Sequence, residues 1–173
     1  IGGLPELDLA LVYRHANLTD CARAGAPRVE LLRSWFVPEV NYPRVLSSDE
    51  RDRFDCDVVF VGHYEPDLRL ACLEEVLRRG WRLRLFGHME GWDGALRTST
   101  VLSHVAPVRT VWGADYNAAL CGSKVALCFL SKLNRDTYTR RCFEIPASGS
   151  LMLSERSADL EDLFTPGKEA DYF

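Results

Sequence analysis

The fold class is decided by one apolar stretch, Asp57-Val58-Val59-Phe60-Val61-Gly62. It is rich in β-branched residues, it is apolar on both faces, and it ends in glycine, a pattern typical of a central strand in a parallel sheet. An amphipathic helix is predicted after it, at residues 68–79, and Gly80 ends that helix. Together they form one strand–helix unit of an α/β fold.

The same alternation continues along the sequence. Further strands are predicted at residues 82–87, 108–112, 124–130 and 151–153, and helices at residues 115–120, 138–148 and 158–164. Residues 91–103 are predicted to be irregular. Repeated strand–helix units with right-handed crossovers predict a doubly wound parallel sheet with a Rossmann-like arrangement.

A separate segment precedes this alternation. Strands are predicted at residues 9–13 and 29–32, with a helix at residues 17–24 between them. Three prolines, Pro27, Pro38 and Pro43, indicate a connector at residues 35–53. We therefore divide the chain into three parts, at residues 1–34, 35–53 and 54–173. Both ends are interpreted as truncations, because the chain starts almost directly with a strand and stops where another strand begins.

Composition places the chain among globular proteins. Of its 173 residues, 47% are hydrophobic and 27% are charged, which is ordinary for this class. The net charge of −4 argues against nucleic-acid binding, because a surface that follows phosphates is usually basic. No apolar run approaches the roughly 20 residues that span a bilayer, and residues 1–5 lack the features of a signal peptide. The six cysteines include no CxxC pair, which predicts reduced thiols in a cytoplasmic protein and no zinc site.

Ligands bind such sheets beyond the carboxyl ends of the strands. The candidates at these ends are Gly62, His63, Tyr64 and Gly87. Glycine after a strand lets a phosphate approach the backbone, although a tight turn is the alternative explanation. The three-glycine fingerprint of a dinucleotide site is missing, which disfavours a nicotinamide or flavin enzyme.

A charged stretch at residues 134–144 supplies the second group of candidates. It leads into a predicted helix, whose first N–H groups favour an anion. Arg140 and Arg141 add guanidinium groups that suit phosphate, and Glu144 can accept hydrogen bonds from two neighbouring hydroxyls of a ribose. The alternative is a surface ion pair between Arg140 and Glu144, which are four residues apart.

Neither a metal site nor a catalytic base is assigned to any residue. Asp55 and Asp57 look like a DxD metal motif, but they precede a strand and so lie at the wrong end of the sheet. The four histidines are isolated, and a lone histidine is more often structural than catalytic.

An ordered set of short motifs runs from Asp57 to Phe173. After the first strand it comprises Pro66, Arg69, Leu85-Phe86-Gly87, Tyr116-Asn117-Ala118-Ala119-Leu120, Lys124-Val125-Ala126-Leu127, Asp136, Thr139, Arg141, Phe143, Glu144, Ala147, Gly149, Leu160, Leu163-Phe164, Glu169 and Phe173. This set resembles the CgeB-like group-1 glycosyltransferases of the GT-B superfamily. The resemblance implies the C-terminal half of a GT-B fold, with residues 1–34 as a remnant of the N-terminal domain.

The resemblance also implies a function, namely binding of a nucleoside-diphosphate sugar for transfer to an unknown acceptor. In related families two acidic residues with seven residues between them contact the donor, and Asp136 and Glu144 have that spacing. Glu144 is thereby expected to bind the ribose hydroxyls and Asp136 to lie near the sugar or the diphosphate. Thr137 is included among the donor-binding candidates.

No metal or other cofactor is implied by the resemblance. Arg69, Arg140 and Arg141 are expected to offset the diphosphate charge together with the backbone of Gly62. The acceptor site and the base would come mainly from the N-terminal domain, so this chain alone is expected to bind donor weakly without turnover. The alternative is a non-catalytic nucleotide- or ligand-binding α/β domain. The oligomeric state is left open.

Overall fold

The computed structural model describes residues 3–173, in which seven strands and seven α-helices are found. The strands are β1 (Ala10–Val12), β2 (Val29–Leu31), β3 (Cys56–Val61), β4 (Leu83–Phe86), β5 (Ser123–Cys128), β6 (Leu151–Ser154) and β7 (Asp171–Tyr172). The helices are α1 (His15–Arg23), α2 (Ser48–Phe54), α3 (Arg69–Arg78), α4 (Met89–Thr98), α5 (Gly113–Cys121), α6 (Arg141–Ala147) and α7 (Ala158–Leu163). None of these helices is both long and apolar enough to cross a membrane.

Five strands form one parallel sheet in the order β4-β3-β5-β6-β7. Val59 of β3 is in register with Arg84 of β4 on one side and with Ala126 of β5 on the other. The chain moves outward from β3 to β4 and then returns past β3 to β5, so the strand order reverses between β3 and β5. The predicted doubly wound, Rossmann-like sheet is confirmed, and the reversal creates a crevice at the carboxyl ends of these two strands.

Helices cover both faces of the sheet, because successive side chains of a strand point to opposite sides. On one face Val58 belongs to a core with Leu73 of α3 and with side chains of α4. On the other face Val59 belongs to a core with Ala118 of α5 and Ile145 of α6. Burial on both faces explains why the sequence of β3 is apolar at successive positions.

Strands β1 and β2 form a separate two-stranded parallel sheet, and α1 connects them. Ion pairs link this part of the chain to the loop after β5: Arg14 pairs with Asp136 at 2.5 Å, and Asp20 pairs with Arg135. The ring of His15 also contacts the ring of Tyr138 edge-on. The boundaries at residues 34 and 53 stay a prediction.

Helix α2 lies inside the segment that was predicted to be a connector. The hydroxyl of Ser47 accepts the Glu50 N–H at 3.3 Å, and the Glu50 carboxylate accepts the Ser47 N–H at 2.9 Å. This reciprocal capping box starts the helix, and Phe54, which is almost fully buried, fixes it to the core. The predicted connector therefore contains a helix that the sequence analysis did not predict.

Helix α4 occupies much of residues 91–103, which were predicted to be irregular. Gly91 has a φ of 87° and interrupts the helix, which accounts for the irregular sequence pattern. Beyond that kink, Trp92 and Leu96 are fully buried against α3 and the sheet. Burial of these two side chains stabilises a helix that its glycines disfavour.

Two further boundaries differ from the predictions. Residues 108–112 do not form a strand; the described chain shows only one bridge there, between Phe86 and Arg109, because the chain leaves the sheet edge to reach α5 on the other face. Helix α6 begins at Arg141 and not at residue 138, since the Thr139 hydroxyl accepts the Arg141 N–H at 3.2 Å and starts the helix there.

Candidate functional site

Two cavities open at the carboxyl end of the sheet and share a wall. The central cavity, of about 500 Å³, lies at the ends of β3 and β4 beside the starts of α5 and α6. The outer cavity, of about 330 Å³, lies between the loop after β5 and the first part of the chain. His63, Arg140 and Arg141 line both cavities. Of the other predicted residues, the central cavity contains Gly62, Gly87 and Glu144, and the outer cavity contains Asp136.

Gly62 and Gly87 are required by packing where the strands end. A Cβ atom on Gly87 would lie 2.0 Å from the Gly62 carbonyl oxygen, which also accepts the Trp92 indole N–H at 2.9 Å. The Gly62 N–H donates to Phe86 at 2.9 Å, and the Gly87 N–H donates to Arg109 at 3.0 Å. Both backbone donors are used inside the fold, which corrects the expectation that the Gly62 backbone binds the diphosphate.

Arg141 is the basic group at the junction of the two cavities. Within residues 3–173 its guanidinium forms no ion pair, and its buried Nε has no hydrogen-bond partner. A buried donor without a partner costs free energy that a bound anion can recover. Helix α6 has only seven residues, so the N–H groups at its start attract an anion weakly. The guanidinium charge of Arg141 is the stronger attraction.

Glu144 lies in the wall of the central cavity with its carboxylate held at both oxygens. Oε2 accepts the Tyr116 hydroxyl at 2.7 Å, and Oε1 pairs with Arg140 Nε at 2.7 Å. The ion pair that was the alternative interpretation is therefore present, but it faces the cavity and not a bare surface. Burial and the Glu144 charge raise the pKa of Tyr116, so the phenol stays a donor at neutral pH. Each carboxylate oxygen retains a further lone pair for a ligand hydroxyl.

Asp136 lies in the outer cavity, apart from Glu144. Its carboxylate is largely buried and pairs with Arg14 Nε at 2.5 Å. Arg14 belongs to the first part of the chain, directly after β1, and it compensates the charge of Asp136. The two acidic residues with the family spacing therefore line different cavities, with Arg140 and Arg141 between them.

His63 follows β3 and is oriented by a buried carboxylate that the sequence reasoning missed. Its Nε2 lies 2.7 Å from Glu65 Oε1, and Glu65 Oε2 accepts the Lys132 N–H at 3.1 Å. Burial raises the pKa of Glu65, but hydrogen bonds from Ser131 and His63 and the charge of Arg69 outweigh it and lower that pKa to about 2. The ionised carboxylate fixes one ring nitrogen of His63 and leaves the other for a ligand.

Three predicted residues lie outside both cavities. Arg69 is 2% exposed, and its guanidinium is paired with buried carboxylates. Tyr64 packs edge-on against Trp92, with 5.2 Å between the ring centres. Thr137 accepts the Ser157 hydroxyl through its carbonyl oxygen. The structure does not bring these three residues to the cavities.

The central cavity also contains residues that were not predicted as ligand contacts. Asn41 comes from the connector, Trp112 stands 78% exposed at the start of α5, and Tyr116 follows one turn later. Tyr116 belongs to a motif of the family resemblance, so its position was signalled although its role was not. Nothing in the local sequence marks Asn41.

A third cavity and the DxD-like pair lie away from this site. A cavity of about 510 Å³ runs beside the free edge of β4 and contains none of the predicted site residues. Asp55 and Asp57 both pair with Arg82, at 2.5 and 3.4 Å, and Asp57 also pairs with Lys124. No group of three or more metal-ligating side chains occurs in the described part of the chain.

The fold and the site define an α/β protein with two adjoining cavities at the carboxyl end of a parallel sheet, where such folds bind ligands. A family model described as Glycosyl transferase-like matches residues 69–173, which is more than half of the chain. The chain therefore belongs to this glycosyl transferase-like family. No curated protein matches it.

Proposed function

We propose that the chain is the donor-binding part of a CgeB-like glycosyltransferase of the GT-B type, and that its central cavity binds a nucleoside-diphosphate sugar. The observation that carries the proposal is the unpaired guanidinium of Arg141 beside the Glu144 carboxylate. These groups match two parts of such a ligand, an anionic diphosphate and a ribose with neighbouring hydroxyls. Membership of a glycosyl transferase-like family supplies the class of reaction.

Each cavity residue has a distinct role in this proposal. Arg141 binds the diphosphate, and His63 contacts it from the end of β3, so that these groups and no metal ion offset the charge of the leaving group. Glu144 accepts the ribose hydroxyls, and Arg140 orients its carboxylate. Asp136 lies near the transferred sugar, in the outer cavity.

Transfer also requires an acceptor and a catalytic base, and we assign neither. In this proposal both belong mainly to the N-terminal half of the GT-B fold, so the chain alone binds donor weakly and does not turn over. The free thiols of all six cysteines support a cytoplasmic location. The alternative is a non-catalytic nucleotide-binding domain; it is favoured by the ion pair that compensates Asp136, and it predicts binding without transfer.

Calorimetric titration with UDP, GDP, ADP and their sugar conjugates tests the proposal. Arg141→Gln removes the charge, and we expect at least tenfold weaker binding, because a hydrogen bond to a charged group contributes about 1.5–3 kcal/mol. Glu144→Gln is expected to weaken nucleotide binding but not binding of inorganic diphosphate. Arg79→Gln is the matched control, because Arg79 is exposed just after the end of α3 and pairs only with Glu75 in the described chain. The proposal is wrong if the wild-type chain binds none of these nucleotides or if Arg141→Gln binds them unchanged.

A further inference from the structure

Asn41 is a buried amide in the wall of the central cavity to which the proposed donor contacts give no role. Its side chain is 2% exposed and lines the cavity. Its Oδ1 accepts the Val37 N–H at 3.1 Å. Because a backbone N–H can bond only to the oxygen of the amide, this contact fixes which end of the side chain is the nitrogen.

The Nδ2 group of Asn41 has no hydrogen-bond partner among residues 3–173. It is shielded from bulk water and carries two protons to donate. Buried polar groups in folded proteins are nearly always bonded. A ligand in the cavity that brings an acceptor atom would satisfy this donor.

The segment that carries Asn41 is fixed against α5 before any ligand binds. The Asn41 N–H donates to the Val37 carbonyl at 2.7 Å. The next carbonyl, of Tyr42, accepts the Asn117 side-chain amide at 3.0 Å, and Asn117 in turn accepts the Ser148 hydroxyl at 2.8 Å. A group held in this way loses little entropy on binding, which suits it to selecting a ligand.

The two sides of the central cavity differ in chemistry. The α5 side presents the exposed indole of Trp112 and the neutral amide of Asn41, whereas the α6 side presents the charges of Arg140 and Arg141. Any planar nucleobase can stack on an aromatic ring, because every base has a π-face. The division therefore fits the base of a nucleoside on the α5 side and a diphosphate on the α6 side, with the ribose between them at Glu144.

We propose that Asn41 is a specificity-determining residue of the donor site, and that its Nδ2 donates a hydrogen bond to an acceptor atom of the nucleoside and not to the diphosphate. This inference rests on the proposed function of the central cavity. It makes the connector at residues 35–53 part of the ligand site.

Asn41→Ala tests the inference by calorimetric titration of the full chain with two ligands. One is the nucleoside diphosphate that the wild type binds most tightly, and the other is inorganic diphosphate. We expect about tenfold weaker binding of the nucleoside diphosphate and unchanged binding of inorganic diphosphate. Arg141→Gln is the comparison, because it is expected to weaken both ligands.

Equal weakening of both ligands, or no change in either, overturns the role of Asn41. The first outcome shows a general loss of cavity shape, and the second shows an amide that the ligand does not use. Thermal unfolding establishes whether Asn41→Ala folds. If it does not, Asn41→Asp removes the donor while it keeps an oxygen for Val37. The inference then requires nucleoside diphosphate affinity to fall about tenfold further than inorganic diphosphate affinity, a ratio that corrects for the added charge.

Nucleotide binding by the wild-type chain distinguishes a failure of this inference from a failure of the proposed function. If Arg141→Gln weakens nucleotide binding and Asn41→Ala does not, only the role of Asn41 is overturned. If the wild type binds no nucleotide, both the proposed function and the inference are overturned.

Discussion

Glu65→Gln tests whether the buried carboxylate behind His63 stabilises the fold through its charge. Glutamine keeps the size of the side chain and keeps an oxygen that can accept the Lys132 N–H. It removes the negative charge that pairs with Arg69, whose Nη1 lies 3.4 Å from Glu65 Oε2. The substitution therefore changes charge with little change of shape.

The magnitude follows from the pKa of Glu65, which is lowered from 4.5 to about 2 in the folded protein. Burial opposes the shift, and the hydrogen bonds from Ser131 and His63 with the charge of Arg69 overcome it. A carboxyl group with this pKa difference contributes up to about 3 kcal/mol to stability at neutral pH. Because the folded pKa lies below the unfolded one, the contribution is present above pH 4.5 and is lost as the pH falls through 2.

Urea unfolding of both proteins between pH 7 and about pH 2.5 measures this contribution. We expect Glu65→Gln to be up to about 3 kcal/mol less stable at pH 7, and we expect the difference to shrink steadily below pH 4.5. Other carboxylates with lowered pKa values, such as Glu50 at about 2, titrate in both proteins and cancel. A difference that stays constant over the whole pH range would refute the reasoning, since it would arise from packing or neutral hydrogen bonds.

Two further substitutions test the α5 side of the central cavity. Tyr116→Phe deletes the hydroxyl that donates to Glu144 at 2.7 Å, and the free energy of unfolding at pH 7 is expected to fall by about 1.5–3 kcal/mol; an unchanged urea midpoint would contradict that hydrogen bond. Trp112→Ala is expected to weaken nucleotide binding at least about fivefold by loss of base stacking, as measured by titration. Trp81→Ala is its control, because Trp81 is also exposed but precedes β4 at the other end of the sheet, and equal effects of the two changes would exclude a stacking role.

The fold class was predictable because a strand covered on both faces has no polar side. Val58 and Val59 pack into different cores, so both had to be apolar, and the sequence shows this directly. Elements that depend on a few contacts were not predictable in the same way. Residues 108–112 are apolar enough for a strand, but whether they pair depends on where the chain crosses to the other face, and only one bridge forms there.

The place of the candidate site in the fold was predictable, but its atomic contacts were not. Positions after strand ends identified His63, Arg141 and Glu144, all of which line the central cavity. The same reasoning could not show that the Gly62 N–H is already bonded to Phe86, because that contact joins different strands. Nor could it predict that a residue of the connector lines the cavity, since such contacts arise only when distant segments pack.

Arg69 and Arg141 were equivalent candidates for binding a phosphate, and the ion pairs that Arg69 already forms distinguish them. Each stands at the start of a helix that follows a strand, and each has a guanidinium that suits phosphate. Arg69 is 2% exposed and already compensated by Glu65 and Asp67, whereas Arg141 has no charged partner in the described chain. Breaking a buried ion pair costs about 3–5 kcal/mol, so an incoming anion gains from Arg141 and not from Arg69. Arg141 is therefore the diphosphate contact in our proposal, whereas Arg69 pairs with the Glu65 carboxylate that contacts His63.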